Sequence, residues 1–202
     1  MNPPADDSHL IEQGTGSTLL HKGFLELRRD TVRLPDGSSA TREYVRHSGA
    51  VAVVPLLDEG PNPRIVMVRQ YRYPVAKVLL EFPAGKIDPG EAQIACAVRE
   101  LKEETGYSAA EWAYGGEIHN ASAYSDESIW IWFARGLTPG ATNPDAEEFV
   151  ETVVLTLEEL VQRSISAQLP DVKTQIGLSW LQHAFAGRMV LPWQSAAAAG
   201  AL

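Results

Sequence analysis

Three carboxylates, Glu100, Glu103 and Glu104, lie within five residues after Arg99 in this chain. On an α-helix, at about 100° per residue, positions 103 and 104 both fall within roughly 60° of position 100, so the three acids share one face. Left alone they repel, and at least one is driven toward its protonated form unless positive charge sits among them. A hard divalent cation suits that place, because ligands that are all oxygen favour Mg²⁺ or Mn²⁺ over zinc. A cluster loaded in this way inverts its local charge and can bind a diphosphate even in an acidic protein.

The helix that must carry these acids has readable ends. Asp88, Pro89 and Gly90 make a turn ahead of Glu91, and Gly106 stands where a left-handed residue stops a helix. These limits predict a helix of about thirteen residues, roughly 20 Å long. Ile94, Ala97, Val98 and Leu101 form an apolar stripe at helical spacing that should pack on a sheet, turning the acids toward a cleft or water. Arg99 is expected to clamp Glu91 or a neighbouring acid, as an orienter and not a reactant.

Around this helix the pattern alternates between strands and turns. Residues 18 to 57 read as strands broken by the turn PDGSS, residues 64 to 70 as a core strand, and residues 112 to 119 and 129 to 134 as two more. In the last of these Ile129, Ile131 and Phe133 oppose Trp130 and Trp132, which predicts a strand buried on both faces or one at a subunit contact. Residues 136 to 145 read as a loop leading to Glu147, Glu148 and Glu151 and then to the strand TVVLTL. Two helices follow, 158 to 166 and 170 to 185, the second with Val172, Ile176, Trp180 and Ala184 at i, i+4 spacing. Residues 1 to 14 read as a mobile tail and 193 to 202 as a C-terminal tail.

The whole chain bounds what this arrangement can be. Its 202 residues suffice for one domain, or one domain with an extension. The single cysteine, Cys96, can form no intrachain disulfide and reads as a small core residue of a protein in a reducing compartment. No run approaches the roughly eighteen apolar residues of a membrane span, and the first residues lack the regions of a signal peptide, so a cytoplasmic protein without a membrane partner is expected. A net charge of −9 without a basic stripe argues against nucleic acid as a partner. His9, His21, His47, His119 and His183 lack metal-ligand spacing and read as structural.

The run Gly85, five residues, Glu91, seven residues, Arg99, Glu100, an aliphatic residue, any residue, Glu103, Glu104, any residue, Gly106 resembles the Nudix box. Every fixed identity is present, and Tyr107 takes the final, usually aliphatic place. YRYP at 71–74 followed by EFPAGKIDPGE at 81–91 is similar to the ADP-ribose pyrophosphatase branch of that family. NASAYSDES at 120–128 resembles a family loop that usually reads Ser-Pro-Gly-Phe-Ser-Asp-Glu, but Ser122 and Ala123 replace Pro and Gly.

The resemblance implies an α/β protein of Nudix fold, a mixed β-sheet sandwiched between helices (α/β/α) with an N-terminal antiparallel β extension. A single domain over 15–192 is implied, with 15–48 packing across a homodimer. Mg²⁺, with Mn²⁺ able to substitute, would be held by the Ala84 carbonyl, Glu100, Glu103 and Glu104, with Glu103 also catalytic. Alignment on the following Phe-Val-Glu selects Glu148 to act on the attacking water, with Glu147 and Glu151 as alternatives. Arg72, Lys86 and Glu81 are implied on the substrate side, and Gly85, Glu91 and Arg99 as orienting residues. The implied reaction is hydrolysis of a nucleoside diphosphate linked to another moiety, with ADP-ribose giving AMP and ribose 5-phosphate as the leading case. The alternatives are another nucleoside diphosphate sugar, a dinucleotide polyphosphate or an oxidised nucleotide, or a non-catalytic ADP-ribose-sensing module.

Overall fold

The structure is a computed structural model that describes residues 6–143 and 149–200. The described chain divides into two compact units, one holding the residues up to His47 together with Ala121–Glu127, the other Ser48–Asn120 and the residues from Ser128 onward.

The first unit is an antiparallel sheet of Gln13–Lys22 (β1), Glu26–Arg33 (β2) and Ser39–Arg46 (β3), in the order β1-β2-β3. The expected turn joins β2 to β3, with Gly37 in the left-handed region at φ +85° and its amide donating to the Leu34 carbonyl at 2.9 Å. β1 was not expected as a separate strand. Its glycines, serine and threonines lack an alternating apolar pattern, and its place is set by its ladder with β2. Every residue of β1 is exposed, as is Phe24 at 87%, while only Val32 of this unit is a buried hydrophobic among the described residues. Tyr124 and Asp126 join β3 through the Val45 amide at 2.8 Å and the His47 amide at 2.7 Å.

The second unit is built on Ala50–Pro55 (β4), which pairs parallel with Ile129–Pro139 (β9) and antiparallel with Ala84–Lys86 (β7). Tyr107–Ile118 (β8) completes a four-stranded mixed sheet, β7-β4-β9-β8. Val150–Thr156 (β10), Arg64–Arg72 (β5) and Lys77–Glu81 (β6) form a second, antiparallel sheet in that order. β4 is apolar on both faces because each face meets a different layer. Val51 and Val53 pack with Ile94, Ala97 and Leu101 of the helix Gln93–Thr105 (α1), whereas Ala52 and Val54 pack with Leu178 and Leu181 of Val172–Phe185 (α3). Leu157–Ile165 (α2) begins in a capping box, Thr156 and Glu159 each accepting from the other's backbone amide.

Several features depart from the sequence expectations, β8 among them, which starts at Tyr107 and not at 112. β9 runs on to Pro139, where a loop was expected from 136, because β8 continues the ladder to Tyr107↔Pro139. β4 has ended opposite Ala134, so this stretch is an edge and proline costs no second ladder. In α3 the most buried face is Lys173, Thr174, Gly177, Leu178 and Leu181; of the expected stripe Ile176 and Trp180 pack on its flank, while Val172 is exposed. Gly177 sets that rotation, since a Cβ there would lie 2.9 Å from Phe82 Cε2 and 3.1 Å from Val54 Cγ2. The expected tail is tied back at its start, where Gln194 exchanges two backbone bonds with Trp112 at 2.7 and 3.0 Å and Trp193 packs on the core.

Candidate active site

The acidic helix face meets the sheet at its smallest strand. β7 places Ala84 opposite Ala52 and Gly85 opposite Val51, and the Glu100 carboxylate lies so close over Gly85 that any Cβ would fall inside it. Glycine is required here for space, not for its backbone angle. Glu104 Oε2 accepts from the Ala84 amide at 3.0 Å. The two carboxylates therefore converge on the segment 84–85, with Glu100 at 8% and Glu104 at 4% exposure. The expectation that all three acids face a cleft or water holds only for the more open Glu103. The other two are admitted to the interior by a strand that has almost no side chains at that point.

Arg99 bridges the acids. Its Nη1 donates to Glu100 Oε1 at 2.6 Å and Glu103 Oε2 at 3.0 Å, while Nε and Nη2 form a fork on Glu91 at 2.9 and 3.0 Å. Nη2 also reaches the Lys86 carbonyl at 3.1 Å. The guanidinium thus clamps Glu91 and two acids of the cluster at once. Glu91 in turn accepts from the Asp88 amide at 3.1 Å, closing the turn in which Gly90 has φ +82°. The Arg99 bonds, assisted by that amide, pull the Glu91 carboxyl down from 4.5 to about 2. Burial, with the nearby Glu91 charge, pushes the Cys96 thiol well up, so it is inert and packs in the core.

A pH dependence follows. A carboxyl with a lowered folded-state pKa contributes stability that is complete above its unfolded value, here near 4.5, and that is lost as pH falls through about 2. Glu91→Gln is expected to lower the urea midpoint at pH 7, with the gap to wild type closing between pH 4.5 and 2. A gap of constant size across that range in urea titrations contradicts the role given to Glu91.

A second charged group lies beside the first. Arg72, at the end of β5, donates Nε to Glu81 Oε1 at 2.9 Å and Nη2 to Glu81 Oε2 at 2.8 Å. Lys173 Nζ also pairs with Glu81 Oε2, and with Asp171 Oδ1 at 2.9 Å. Burial by itself would raise the Glu81 carboxyl, but the Arg72 and Lys173 charges override it and hold it below the usual range. The bond to Glu81, with the nearby charges of Glu104 and Asp171, raises the Arg72 guanidinium. Lys173 and Asp171 were not anticipated. Their one sequence signal, Asp171 three residues ahead of Thr174 at a helix start, points to a cap and says nothing of a partner on β6.

The acid end of α1 is tied down by its last carbonyls. Glu103 O accepts from the Asn143 amide at 3.1 Å and Glu104 O from Thr152 Oγ1 at 3.3 Å, and Gly106 closes the helix at φ +76°. Lys86 ends β7 and is exposed. Glu151 pairs with Arg69 at 2.6 Å on an exposed part of the sheet. Glu147 and Glu148 lie outside the described residues. Ser122 and Ala123 belong to the first unit.

Among the described residues no three acidic, histidine or cysteine side chains converge as metal ligands, because Glu100 and Glu103 turn onto Arg99 and Glu104 onto the Ala84 amide. The donor set still fits a hard cation. It offers oxygens only, on two buried carboxylates and a third more open one, all within the last turn and a half of one helix.

Comparison with known proteins bears on this arrangement. The NUDIX domain profile matches residues 46–175. The chain is 40% identical over 160 residues to the methanol dehydrogenase activator of Bacillus methanolicus, covering 78% of this chain and 85% of that one. It is 36% identical, with the same coverage of 78% and 85%, to the ADP-ribose pyrophosphatase of Bacillus subtilis. Over 130 residues it is 45% identical to the ADP-ribose pyrophosphatase of Mycobacterium tuberculosis, covering 64% of this chain and 61% of that protein. A crystal structure of an ADP compounds hydrolase superposes with a TM-score of 0.77 at 22% identity, covering 88% of this chain and 97% of that one, which establishes a shared fold.

Proposed function

Because this chain belongs to the Nudix family, we propose that it is a Nudix pyrophosphatase whose substrate is ADP-ribose, cleaved by water into AMP and ribose 5-phosphate. The observation that carries this reading is the convergence of the buried Glu100 and Glu104 on Ala84 and Gly85, with the Arg72–Glu81 pair beside them.

Glu100, Glu103 and Glu104, with the Ala84 carbonyl, would hold divalent cation, Mg²⁺ with Mn²⁺ as a substitute. The chemistry supplied there would be charge to neutralise the diphosphate and to acidify the attacking water. The protein's own groups then divide the remaining work. Arg99 bridges Glu100 and Glu103, and Glu91 and Gly85 hold Arg99 and Glu100 in place. Arg72, still 38% exposed at its side chain, presents its outer edge to a phosphate while Glu81 holds the inner edge. Lys86 stands at the exposed end of β7 as a further cation for the substrate. Glu103 is more open than Glu100 and, with Glu148, serves to orient or deprotonate the attacking water. Glu147 and Glu151 are the alternatives to Glu148 in that role.

The working form is a homodimer. The first unit exposes Leu19, Leu20, Phe24 and Leu25, and a three-stranded sheet needs an apolar face covered to be stable. A cytoplasmic setting, in which the single Cys96 stays reduced, suits this assembly.

Turnover of a panel of nucleotides with product identification tests the substrate. AMP and ribose 5-phosphate from ADP-ribose are the expected products. A preference for a nucleoside triphosphate or a dinucleotide polyphosphate rules against ADP-ribose, and binding without turnover in Mg²⁺ or Mn²⁺ rules against an enzyme.

A further inference from the structure

We propose that Lys173 is a positioning residue for substrate binding: by sharing Glu81 with Arg72 it fixes the Arg72 guanidinium and leaves its outer edge available to a phosphate. This rests on the placement of Arg72 on the substrate side given above.

Lys173 is expensive where it stands. It lies in the first turn of α3, where the helix dipole opposes a cation, and it is 9% exposed, so its ammonium has lost most of its water. Helix stability would be better served by an uncharged residue. The position is explained by what the ammonium touches. Glu81 is 1% exposed and is already met edge-on by the Arg72 fork at 2.9 and 2.8 Å, which alone would satisfy it. Lys173 adds a second cation on the same Oε2. Glu81 is thereby pinned from two sides, while Asp171 takes up the rest of the Lys173 charge. Arg72 is therefore held by its inner edge alone, and its Nη1 hydrogens are not used on any described residue.

The same corner also holds the strand end that supplies the site. Asp171 Oδ2 caps α3 by accepting from the Thr174 amide at 2.9 Å and from Thr174 Oγ1 at 2.6 Å. Thr174 Oγ1 accepts from the Phe82 amide at 3.1 Å. Residues 81 and 82 are thus tied to the start of α3 at consecutive positions, through Lys173 and through Thr174, just ahead of Ala84 and Gly85. Moving Lys173 frees Glu81 to draw Arg72 inward, away from a bound anion.

A double-mutant cycle on the full-length protein tests this. Lys173→Met, Lys173→Gln and Lys173→Arg are each combined with Arg72→Ala, and KM and kcat are measured on whichever diphosphate the wild type cleaves. Calorimetric affinity for ADP is measured alongside, since it needs no turnover. Lys173→Met and Lys173→Gln are expected to raise KM and weaken ADP binding about tenfold, the scale of one charge-assisted bond, with kcat within about threefold. Lys173→Arg restores most of the affinity, and in the Arg72→Ala background none of the Lys173 changes alters KM or ADP binding further. Equal losses with and without Arg72, or a fall in kcat at unchanged affinity, overturn the proposal, as does ADP affinity that is indifferent to Arg72→Ala. Cleavage of a diphosphate other than ADP-ribose would refute the substrate reading alone, because the cycle reads equally on that compound. If Lys173→Met does not fold, the Gln and Arg variants carry the same comparison.

Discussion

Glu104→Gln is expected to lower kcat about 10³-fold at saturating Mg²⁺, and Glu100→Gln by a similar amount, the scale seen when one preorganised electrostatic group is removed. Both carboxylates are buried and both meet the segment 84–85, Glu104 through the Ala84 amide and Glu100 over Gly85. An amide in either place keeps the shape and loses the charge, so the proposed cation loses a ligand while the core packing is largely kept. Glu148→Gln is expected to cost less, about 10²-fold, the lower end of general-base assistance. The three variants are compared by steady-state kinetics, with thermal melts to establish that each is folded. Near-normal turnover in the Glu100 and Glu104 variants would sink the assignment of the acids.

Glu81→Ala is expected to destabilise the protein by about 3–5 kcal/mol, the cost of breaking a buried ion pair from one side. Removing the carboxylate leaves the Lys173 ammonium buried with only Asp171 against it and releases the inner edge of Arg72. The loss comes from the stranded cation more than from the bonds themselves. Replacing both partners, as in Glu81→Met with Lys173→Met, should therefore cost less than Glu81→Ala alone. Guanidinium unfolding at pH 7 measures the order. A Glu81→Ala loss below about 1 kcal/mol, the range of an exposed pair, would show that the cluster is solvated in solution.

Much of the site was legible because it is local. The spacing of Glu100, Glu103 and Glu104 with Arg99 and Glu91 lies within one helix and the turn before it, so helical geometry alone puts the acids together and gives Arg99 something to clamp. The helix limits followed from Gly106 and the Asp88–Gly90 turn for the same reason. The buried character of β9 was readable because its pattern is apolar on both faces, and Trp132 indeed packs on the α1 side while Ile131 packs on the other. Strand limits were less legible. β1 and the end of β9 are held by their partners' ladders and carry glycine, serine, threonine and proline that read as turns.

What the sequence by itself determined was the acidic helix, its limits and the family it belongs to, since each depends on residues a few positions apart on one periodic element. Only the tertiary structure decided how deeply the acids sit and what Arg72 faces. The first depends on β7, whose lack of side chains at Ala84 and Gly85 admits Glu100 and Glu104 to the interior. The second depends on α3, ninety-two residues beyond Glu81, bringing Lys173 onto the same carboxylate as Arg72. A charge pattern along the chain shows which groups exist. Whether a carboxylate is shared by two cations is a matter of long-range packing, and here that packing is what joins Arg72 on β5 to Lys173 on α3 through Glu81.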